Sequence, residues 1–320
     1  MHAALPGSLR VAGKKPLKPL RLGPGSVIGI AAPAGPFEPE RLSRGVEVLR
    51  AMGFEVLVPD GLLAARAYLA GSDAHRAELL NRLFADPGID AVMCARGGYG
   101  SLRILPLLDY AHLAASPKVL IGFSDITALL AAVSARCRLV VFHGPVVTTL
   151  ADASDRTVGG LLEAVASDRP VVVRSEGAVA LRPGSASGAV CGGNLTTLCH
   201  LLGTHFAPRF RNRILFLEDR GEAPYRIDRM LVHMRAAGCF DGIKGVVLGT
   251  FEGCGRPEEI LEIVADVMRG IEAPILAGLE SGHGEPNLTL PLGARAVLDA
   301  GRRTLAFECA TNGRAAPKLR

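Results

Sequence analysis

The sequence predicts an α/β protein of two domains: an N-terminal doubly wound parallel sheet, flavodoxin- or Rossmann-like, and a C-terminal α/β domain with a terminal β-hairpin. From Ser26 onward, short apolar runs alternate with longer amphipathic runs, which is typical of parallel strands joined by helices. The 320 residues exceed what one small core usually holds. Two strand-like runs within 294–308 flank the turn DAGRR and predict the hairpin.

The first half of the chain shows the clearest alternation. A helix that starts at Pro39 should stop at Gly53, because proline is favoured at a helix start and glycine just past its end. The next helix is expected to be capped by Ser72 or Asp73. The predicted strands are 27–32, 54–58, 90–95, 118–123 and 139–142, and the predicted helices are 39–52, 74–84 and 125–135.

The second half resumes the alternation after a less regular stretch with the turn-rich string RPGSASG, which we expect to be a linker. Helices are predicted directly after GGN at 192–194, over 225–238 and over 257–270, and strands over 213–218, 244–251 and 274–279. The predicted division is a basic N-terminal extension (1–25), an N-terminal domain (26–150), the linker (151–187) and a C-terminal domain (188–320).

The composition argues against several classes of protein. Hydrophobic residues make up 49% of the chain and charged residues 21%, which is typical of a folded globular protein. There is no uncharged apolar run of 18 residues and no apolar segment near the N-terminus, so we expect neither a membrane span nor a secretory signal. The net charge of +5 is dispersed and no Trp is present, which argues against a nucleic-acid partner.

The seven cysteines include no C-x-x-C pair. They are expected to be buried free thiols of a reducing compartment, which predicts a cytoplasmic protein. The sequence also contains no H-E-x-x-H and no G-x-x-x-x-G-K-[ST] string. We therefore predict neither a metal site nor a cofactor.

The glycine-rich string RGGYGS at 96–101 follows a predicted strand. Backbone N–H groups in such a loop can approach an anion, because glycine has no side chain to keep the ligand away. A plain strand-to-helix turn that requires positive φ would produce the same string. Both interpretations stay open from the residues alone.

Three polar residues follow predicted strands. Ser124 ends the run KVLIGF, Glu218 ends RILFLE, and His283 lies just after PILAGL. All three are expected at the carboxyl edges of strands, where open α/β sheets bind ligands. Singly, each has a structural alternative: a helix N-cap, a salt-bridged strand end and a turn histidine. Together they supply the nucleophile, base and acidic partner that serine acyl transfer requires.

The strings around these residues resemble, in order and spacing, the L,D-carboxypeptidase family of serine peptidases, which includes the microcin C immunity peptidases. The strings are ARGGYGS, GFSDITALL, FHGP, GGNLTTL, FLEDRGEAPYRIDRML and SGHGEPNLTLPLGARA, and the similarity extends from about Ser26 to Phe307. The resemblance implies that Ser124 is the nucleophile and that Glu218 and His283 complete the triad. It also implies a cytoplasmic muropeptide substrate, whose terminal D-alanine is removed, and a homodimer.

In this mechanism the backbone N–H of Asp125 is a candidate oxyanion donor, and Gly97 or Gly98 could supply a second. The substrate's terminal carboxylate could pair with Arg96 or Arg220. Two other functions stay open. One is a microcin C immunity-type enzyme that cleaves peptidyl or aminoacyl nucleotides, against which the absence of Trp counts. The other is a non-catalytic anion-binding protein in which Ser124 only caps a helix.

Overall fold

A computed structural model of the chain describes residues 15–314. The strands are β1 (Leu20–Arg21), β2 (Val27–Ala31), β3 (Glu55–Leu57), β4 (Ala91–Cys94), β5 (Val119–Gly122), β6 (Val141–His143), β7 (Val171–Arg174), β8 (Val179–Arg182), β9 (Ser185–Asn194), β10 (Arg213–Arg220), β11 (Gly245–Glu252), β12 (Ile275–Ala277), β13 (Leu290–Leu292), β14 (Arg295–Asp299), β15 (Thr304–Phe307) and β16 (Asn312–Arg314).

The helices are α1 (Pro39–Ala51), α2 (Asp73–Ala85), α3 (Ser101–Ile104), α4 (Tyr110–Ala115), α5 (Thr127–Cys137), α6 (Val147–Leu150), α7 (Asp155–Ala166), α8 (Leu195–Leu201), α9 (Pro224–Ala236) and α10 (Pro257–Val267). Two 3₁₀ turns cover Leu105–Leu107 and Ser124–Ile126. Of the two candidate caps of α2, Ser72 is the one used: its hydroxyl accepts a hydrogen bond from the backbone N–H of His75 at 3.2 Å. No helix within 15–314 has both the length and the apolar character needed to cross a bilayer.

The first large sheet has the strand order β13-β6-β5-β4-β2-β3. Strands β2 to β6 run parallel to one another, with the reversal of order beside β2 that is typical of flavodoxin-like sheets. Strand β13 comes from late in the chain and pairs antiparallel with β6, Leu290 opposite His143. The predicted doubly wound α/β sheet is confirmed.

The second large sheet has the order β7-β15-β14-β9-β10-β11-β12-β8. Its centre, β9 to β12, is parallel, as expected where helices α8 to α10 make the crossovers. The predicted terminal hairpin is present as β14 and β15, which pair antiparallel with Asp299 opposite Thr304. Ser124 follows the carboxyl end of β5, and Glu218 lies near the carboxyl end of β10.

The segment 151–187, predicted as a linker, is instead structured. It holds helix α7, strands β7 and β8 and the start of β9. Helix α7 begins at the cap Ser154, whose hydroxyl accepts from the N–H of Thr157. Strand β7 is only four residues long and lies at a sheet edge, with alternating buried and exposed side chains. A short apolar run of this kind is weak evidence for a strand when only the sequence is known. The proposed division into domains stays a prediction.

The predicted basic extension, 1–25, is part of the fold over its described portion. Residues 1–14 lie outside the described residues. Leu17 forms a bridge with Leu139, Leu22 is buried, and Arg21 forms an ion pair with Asp168 at 2.5 Å. The short strand β1 pairs with β16. Residues 15–25 are therefore held by contacts with the middle of the chain and with its last described strand.

Helix α1 packs against α6 through Gly45. A Cβ atom built at Gly45 would lie 1.9 Å from the carbonyl oxygen of Val147, well inside van der Waals contact. Glycine at this position lets the two helix backbones approach each other. By contrast, Gly159 in α7 faces open space, with no atom within 4 Å of its built Cβ.

Gly45→Ala and Gly159→Ala are expected to change stability in opposite directions. The first must push α1 away from α6, and overpacking of this kind costs about 1–3 kcal/mol. The second relieves the low helix propensity of glycine and should gain about 0.5–1 kcal/mol. The thermal unfolding midpoints of both variants, compared with that of the wild type, measure these changes in stability. A Gly45→Ala protein as stable as the wild type would show that the α1–α6 contact is not tight.

Candidate active site

Ser124 lies on the turn between β5 and α5. Its φ of +64° is in the left-handed region, although it is not a glycine. Strained backbone at such a turn is typical of functional positions, because the surrounding structure must hold it there. The 3₁₀ turn that Ser124 begins has no side-chain cap, so the cap interpretation of this hydroxyl is wrong. Its Oγ lies instead 3.0 Å from Nε2 of His283.

His283 connects Ser124 to Glu218. Its Nδ1 lies 2.6 Å from Oε2 of Glu218, at the end of β10. A neutral imidazole that donates from Nδ1 to the carboxylate leaves Nε2 free to accept the serine hydroxyl proton. Glu218 has 0% exposure and the His283 side chain 11%. The structure thus brings the three residues selected from the sequence into one chain of hydrogen bonds.

The loop that carries His283 is fixed by its neighbours. The N–H of Gly282 donates to Oδ1 of Asn287 at 2.9 Å, and the N–H of Gly284 donates to the hydroxyl of Thr250 at 3.1 Å. Gly282 has φ +120°, and a Cβ built there would lie 2.6 Å from Oε2 of Glu218. Only glycine lets the loop pass this close to the carboxylate.

Hydrogen bonds also tie the helix after Ser124 to the second sheet. The backbone N–H of Asn194, at the end of β9, donates to the hydroxyl of Thr127 in α5 at 3.0 Å. The Asn194 amide donates to Asp219 at 2.9 Å, and the same carboxylate accepts from the N–H and hydroxyl of Thr196. Sequence reasoning missed these residues, although the GGN string at a strand end carried the same signal as Glu218.

The three candidate oxyanion residues line the same cleft as Ser124. A Cβ built at Gly97 would lie 2.9 Å from Cβ of Ser124 and 3.2 Å from its Oγ, so there is no room for a side chain between Gly97 and the serine. Gly98 has φ +107°, which a side chain would disfavour. Asp125 follows the serine, and its carboxylate accepts from the N–H of Ser101 at 2.9 Å. The RGGYGS loop and the serine turn are therefore in direct contact.

A cleft of about 600 Å³ opens over these residues. Its lining carries charge of both signs, with the acidic residues Glu38, Asp125, Asp219 and Glu222 and the basic residues Arg41, Arg96 and Arg220. Its aromatic lining residues are Phe37, Tyr99 and Phe123. A polar cleft with both carboxylates and guanidinium groups suits a zwitterionic peptide better than an apolar ligand.

The three cleft arginines differ in their partners. Arg41 forms an ion pair with Asp152 at 2.6 Å, and Arg96 donates to the carbonyl oxygen of Pro36 at 2.5 Å. Within residues 15–314, the guanidinium of Arg220 has no hydrogen bond or ion pair with another side chain or carbonyl. Arg220 is therefore the cleft arginine left available to bind an anionic ligand.

A second histidine, His143, lies behind the triad at the end of β6. It is fully buried, and neither ring nitrogen has a hydrogen-bond partner within the described residues. Its ring packs edge-on against Phe123 and Phe216, and Phe123 in turn packs on His283 with 4.8 Å between ring centroids. Burial, with a further contribution from nearby His283, lowers the pKa of His143 to about 3. His143 is thus neutral at ordinary pH.

The cysteines form no disulfide within the described residues, and each is buried or half-buried. Burial raises the pKa of the Cys191 and Cys199 thiols to about 12, so both are protonated at neutral pH and poorly nucleophilic. Over the described part of the chain, no three His, Cys, Asp or Glu side chains group closely enough to hold a metal ion.

Comparison with known proteins identifies relatives over nearly the whole chain. Residues 28–144 match the model of the LD-carboxypeptidase N-terminal domain, and residues 187–298 match that of the LD-carboxypeptidase C-terminal domain. A Streptomyces coelicolor protein whose name designates a carboxypeptidase is 41% identical over 91% of this chain and 96% of its own length. The Escherichia coli microcin C7 self-immunity protein is 30% identical over 91% of this chain and 96% of its own.

A solved structure shares the fold. The crystal structure of muramoyltetrapeptide carboxypeptidase from Oxalobacter formigenes superposes with a TM-score of 0.80 at 30% identity, covering 91% of this chain and 100% of the other.

The buried His143 predicts how stability depends on pH. Its pKa is about 3 when folded and about 6.5 when unfolded, so below about pH 6.5 the unfolded chain binds a proton that the folded chain does not. The contribution of His143 therefore lowers the free energy of unfolding progressively as pH falls from about 6.5 to about 3. His143→Phe should remove this contribution and flatten the fall of the thermal midpoint with acid.

The matched control is His112→Phe, an exposed histidine on α4, whose acid sensitivity should equal that of the wild type. Thermal unfolding at several pH values between about 7 and 4 compares the three proteins. If His143→Phe loses stability with acid as steeply as the wild type, the buried imidazole is not the source of the dependence.

Proposed function

Because the chain belongs to the LD-carboxypeptidase family, it is a peptidase, and we propose that it is a serine-type L,D-carboxypeptidase that removes the terminal D-alanine from murein tetrapeptides. The observation that carries the proposal is the hydrogen-bond chain from Ser124 through His283 to Glu218 at the floor of a polar cleft. This is the arrangement that acyl transfer through an activated serine requires.

In the proposed mechanism, His283 takes the proton of Ser124 as the Oγ attacks the carbonyl carbon of the scissile peptide bond. The imidazolium that forms is stabilised by the Glu218 carboxylate, which also fixes its tautomer. His283 then gives the proton to the leaving amine, and the acyl-enzyme remains on Ser124. Water, deprotonated by His283, attacks the ester carbonyl carbon. His283 then returns the proton to Ser124 Oγ as the ester C–O bond breaks, which releases the shortened peptide and restores the free serine.

The tetrahedral intermediate needs hydrogen-bond donors for its oxyanion. We assign this role to the backbone N–H of Asp125 and to one from Gly97 or Gly98, which border the serine. Removing one such donor typically lowers turnover by about 10²- to 10³-fold. Positive φ at Gly98 orients the backbone of that loop in a way few other residues adopt.

A carboxypeptidase must bind the free carboxylate of its substrate. We assign this to Arg220 rather than Arg96, because the Arg96 guanidinium already donates to Pro36 and Arg220 has no side-chain partner within the described residues. The murein substrate is supported by the Oxalobacter formigenes relative, named for a muramoyltetrapeptide. The free thiols support the cytoplasmic location, and the homodimer is kept as a prediction from the family.

The second candidate is a microcin C immunity-type peptidase that acts on peptidyl or aminoacyl nucleotides. It is favoured by the 30% identity to the Escherichia coli self-immunity protein, and Phe37, Tyr99 and Phe123 in the cleft provide rings on which a base could stack. The third alternative, a non-catalytic anion-binding protein, loses its main support because the Ser124 hydroxyl does not cap a helix.

Ser124→Ala should abolish turnover and leave stability close to that of the wild type, since the hydroxyl is not a cap. The matched variant is Ser72→Ala, which removes the cap of α2 and should lose about 1 kcal/mol of stability with normal turnover. Mass spectrometry of a muramoyl tetrapeptide and of a peptidyl adenylate, incubated separately with each protein, measures the products.

We expect the wild type to remove one alanine from the tetrapeptide and to leave the adenylate intact. Cleavage of the adenylate alone would replace the proposed substrate by that of the second candidate. Turnover by Ser124→Ala at nearly the wild-type rate would overturn the nucleophile assignment for either substrate.

Arg220→Ala should raise KM for the tetrapeptide about 10- to 100-fold with a smaller effect on kcat, because a charged hydrogen-bonded contact is worth about 1.5–3 kcal/mol. Steady-state kinetics with the tetrapeptide and with its C-terminal amide test this. For the amide, which lacks the negative charge, wild type and variant should have similar KM values. An unchanged KM for the acid would show that another group binds the carboxylate.

A further inference from the structure

The loop 96–101 between β4 and α3 borders Ser124 and has few side chains of its own to fix it. It contains Gly97, Gly98 and Gly100, the last two with φ of +107° and +109°. Glycine-rich backbone of this kind has many accessible conformations. The position of its N–H groups relative to Ser124 therefore depends on what holds the loop from outside.

One end of the loop is held by the residue that follows the nucleophile. The Asp125 carboxylate accepts from the backbone N–H of Ser101 at 2.9 Å, and the Ser101 hydroxyl donates to the carbonyl oxygen of Asp125 at 2.5 Å. Ser101 is fully buried, so water does not replace these contacts easily.

The opposite side of the loop is held by two further contacts. The guanidinium of Arg76, fully buried, donates to the carbonyl oxygens of Gly100 at 2.9 Å and of Pro33. The N–H of Gly35 donates to the carbonyl oxygen of Gly97 at 3.0 Å. A carboxylate thus binds the N–H of Ser101, while a guanidinium binds the carbonyl oxygen of the preceding residue, Gly100.

We propose that the Asp125 side chain is a positioning residue that locks the loop 96–101 against Ser124, so that the Gly97 or Gly98 N–H is aimed at the oxyanion. The inference deepens the proposed function and rests on it. Asp125 does not itself touch the reacting atoms through its carboxylate, which accepts the hydrogen bond from Ser101. Asp125 thus acts on the oxyanion in two ways: its backbone N–H donates to the oxyanion directly, and its carboxylate holds the loop that supplies the second donor.

This role predicts a particular kinetic effect. Loosening the loop weakens hydrogen bonds that form fully only in the transition state, so kcat should fall while KM changes little. In the proposed function, substrate binding depends mainly on Arg220 and on the part of the peptide beyond the reacting bond. A contact that only stabilised the fold would alter the thermal midpoint without this separation of kcat from KM.

The experiment compares Asp125→Ala, Asp125→Asn and Asp109→Ala in the full chain with a muramoyl tetrapeptide. Asp109 caps α4 by accepting the N–H of His112 at 2.9 Å and does not line the cleft. We expect Asp125→Ala to lower kcat about tenfold to a hundredfold, with KM within about threefold of the wild type. Asp125→Asn retains one acceptor oxygen and should recover part of the loss, and Asp109→Ala should keep the wild-type kcat.

Wild-type kcat in both Asp125 variants, or a loss that falls on KM, would overturn the positioning role. Should Asp125→Ala fail to fold, Asp125→Asn decides alone: kcat within about twofold of the wild type contradicts the proposal. Failure of the proposed function is distinguished by Ser124→Ala. If that variant is inactive and the Asp125 variants are fully active, the triad stands and only the role of the Asp125 side chain is wrong.

Discussion

The site depends on a carboxylate that is removed from water. Glu218 is fully buried at the end of β10, and its Oε1 has no hydrogen-bond partner within the described residues. A buried carboxylate is stabilised only by close, well-oriented partners, and for Glu218 that partner is the Nδ1–H of His283 at 2.6 Å. The His283 imidazole must reach this buried carboxylate. That requirement explains the glycine at position 282, the close approach of its loop and the orientation of the imidazole.

The triad is assembled from residues associated with both large sheets. Glu218 belongs to the second sheet and Ser124 to the first, while His283 lies on the connection that leaves β12 in one sheet and enters β13 in the other. The hydrogen bond from Asn194 to Thr127 holds the helix after the serine against the second sheet. The distance between Ser124 and His283 is therefore fixed by contacts on both sides of the cleft and not by one flexible loop.

The triad residues and the strands before them could be predicted from the sequence, because a polar residue directly after an apolar run is easily recognised as a strand end. Ser124, Glu218 and His283 each follow an apolar run, and the topology brings such positions together. Elements with mixed signals could not be predicted. Strand β13 contains Pro291, which is tolerated only because the strand lies at a sheet edge, and α7 contains Gly159 and Gly160, which lower its helix propensity. The GGN string marks the position of Asn194, but its hydrogen bond to Asp219 depends on side-chain geometry that no spacing in the sequence encodes.

The position of β13 has a consequence for the synthesis of the protein. Strand β6, with Val141 and Phe142 both buried, is paired on its outer edge with Leu290–Leu292, and within residues 15–314 no other strand of its sheet lies on that side. During translation, nearly 150 further residues must emerge before that edge is paired. Until then the nascent first sheet exposes an apolar, unpaired strand, which is a template for aggregation. The pairing of β13 with β6 therefore makes the completion of the first sheet depend on the last tenth of the chain.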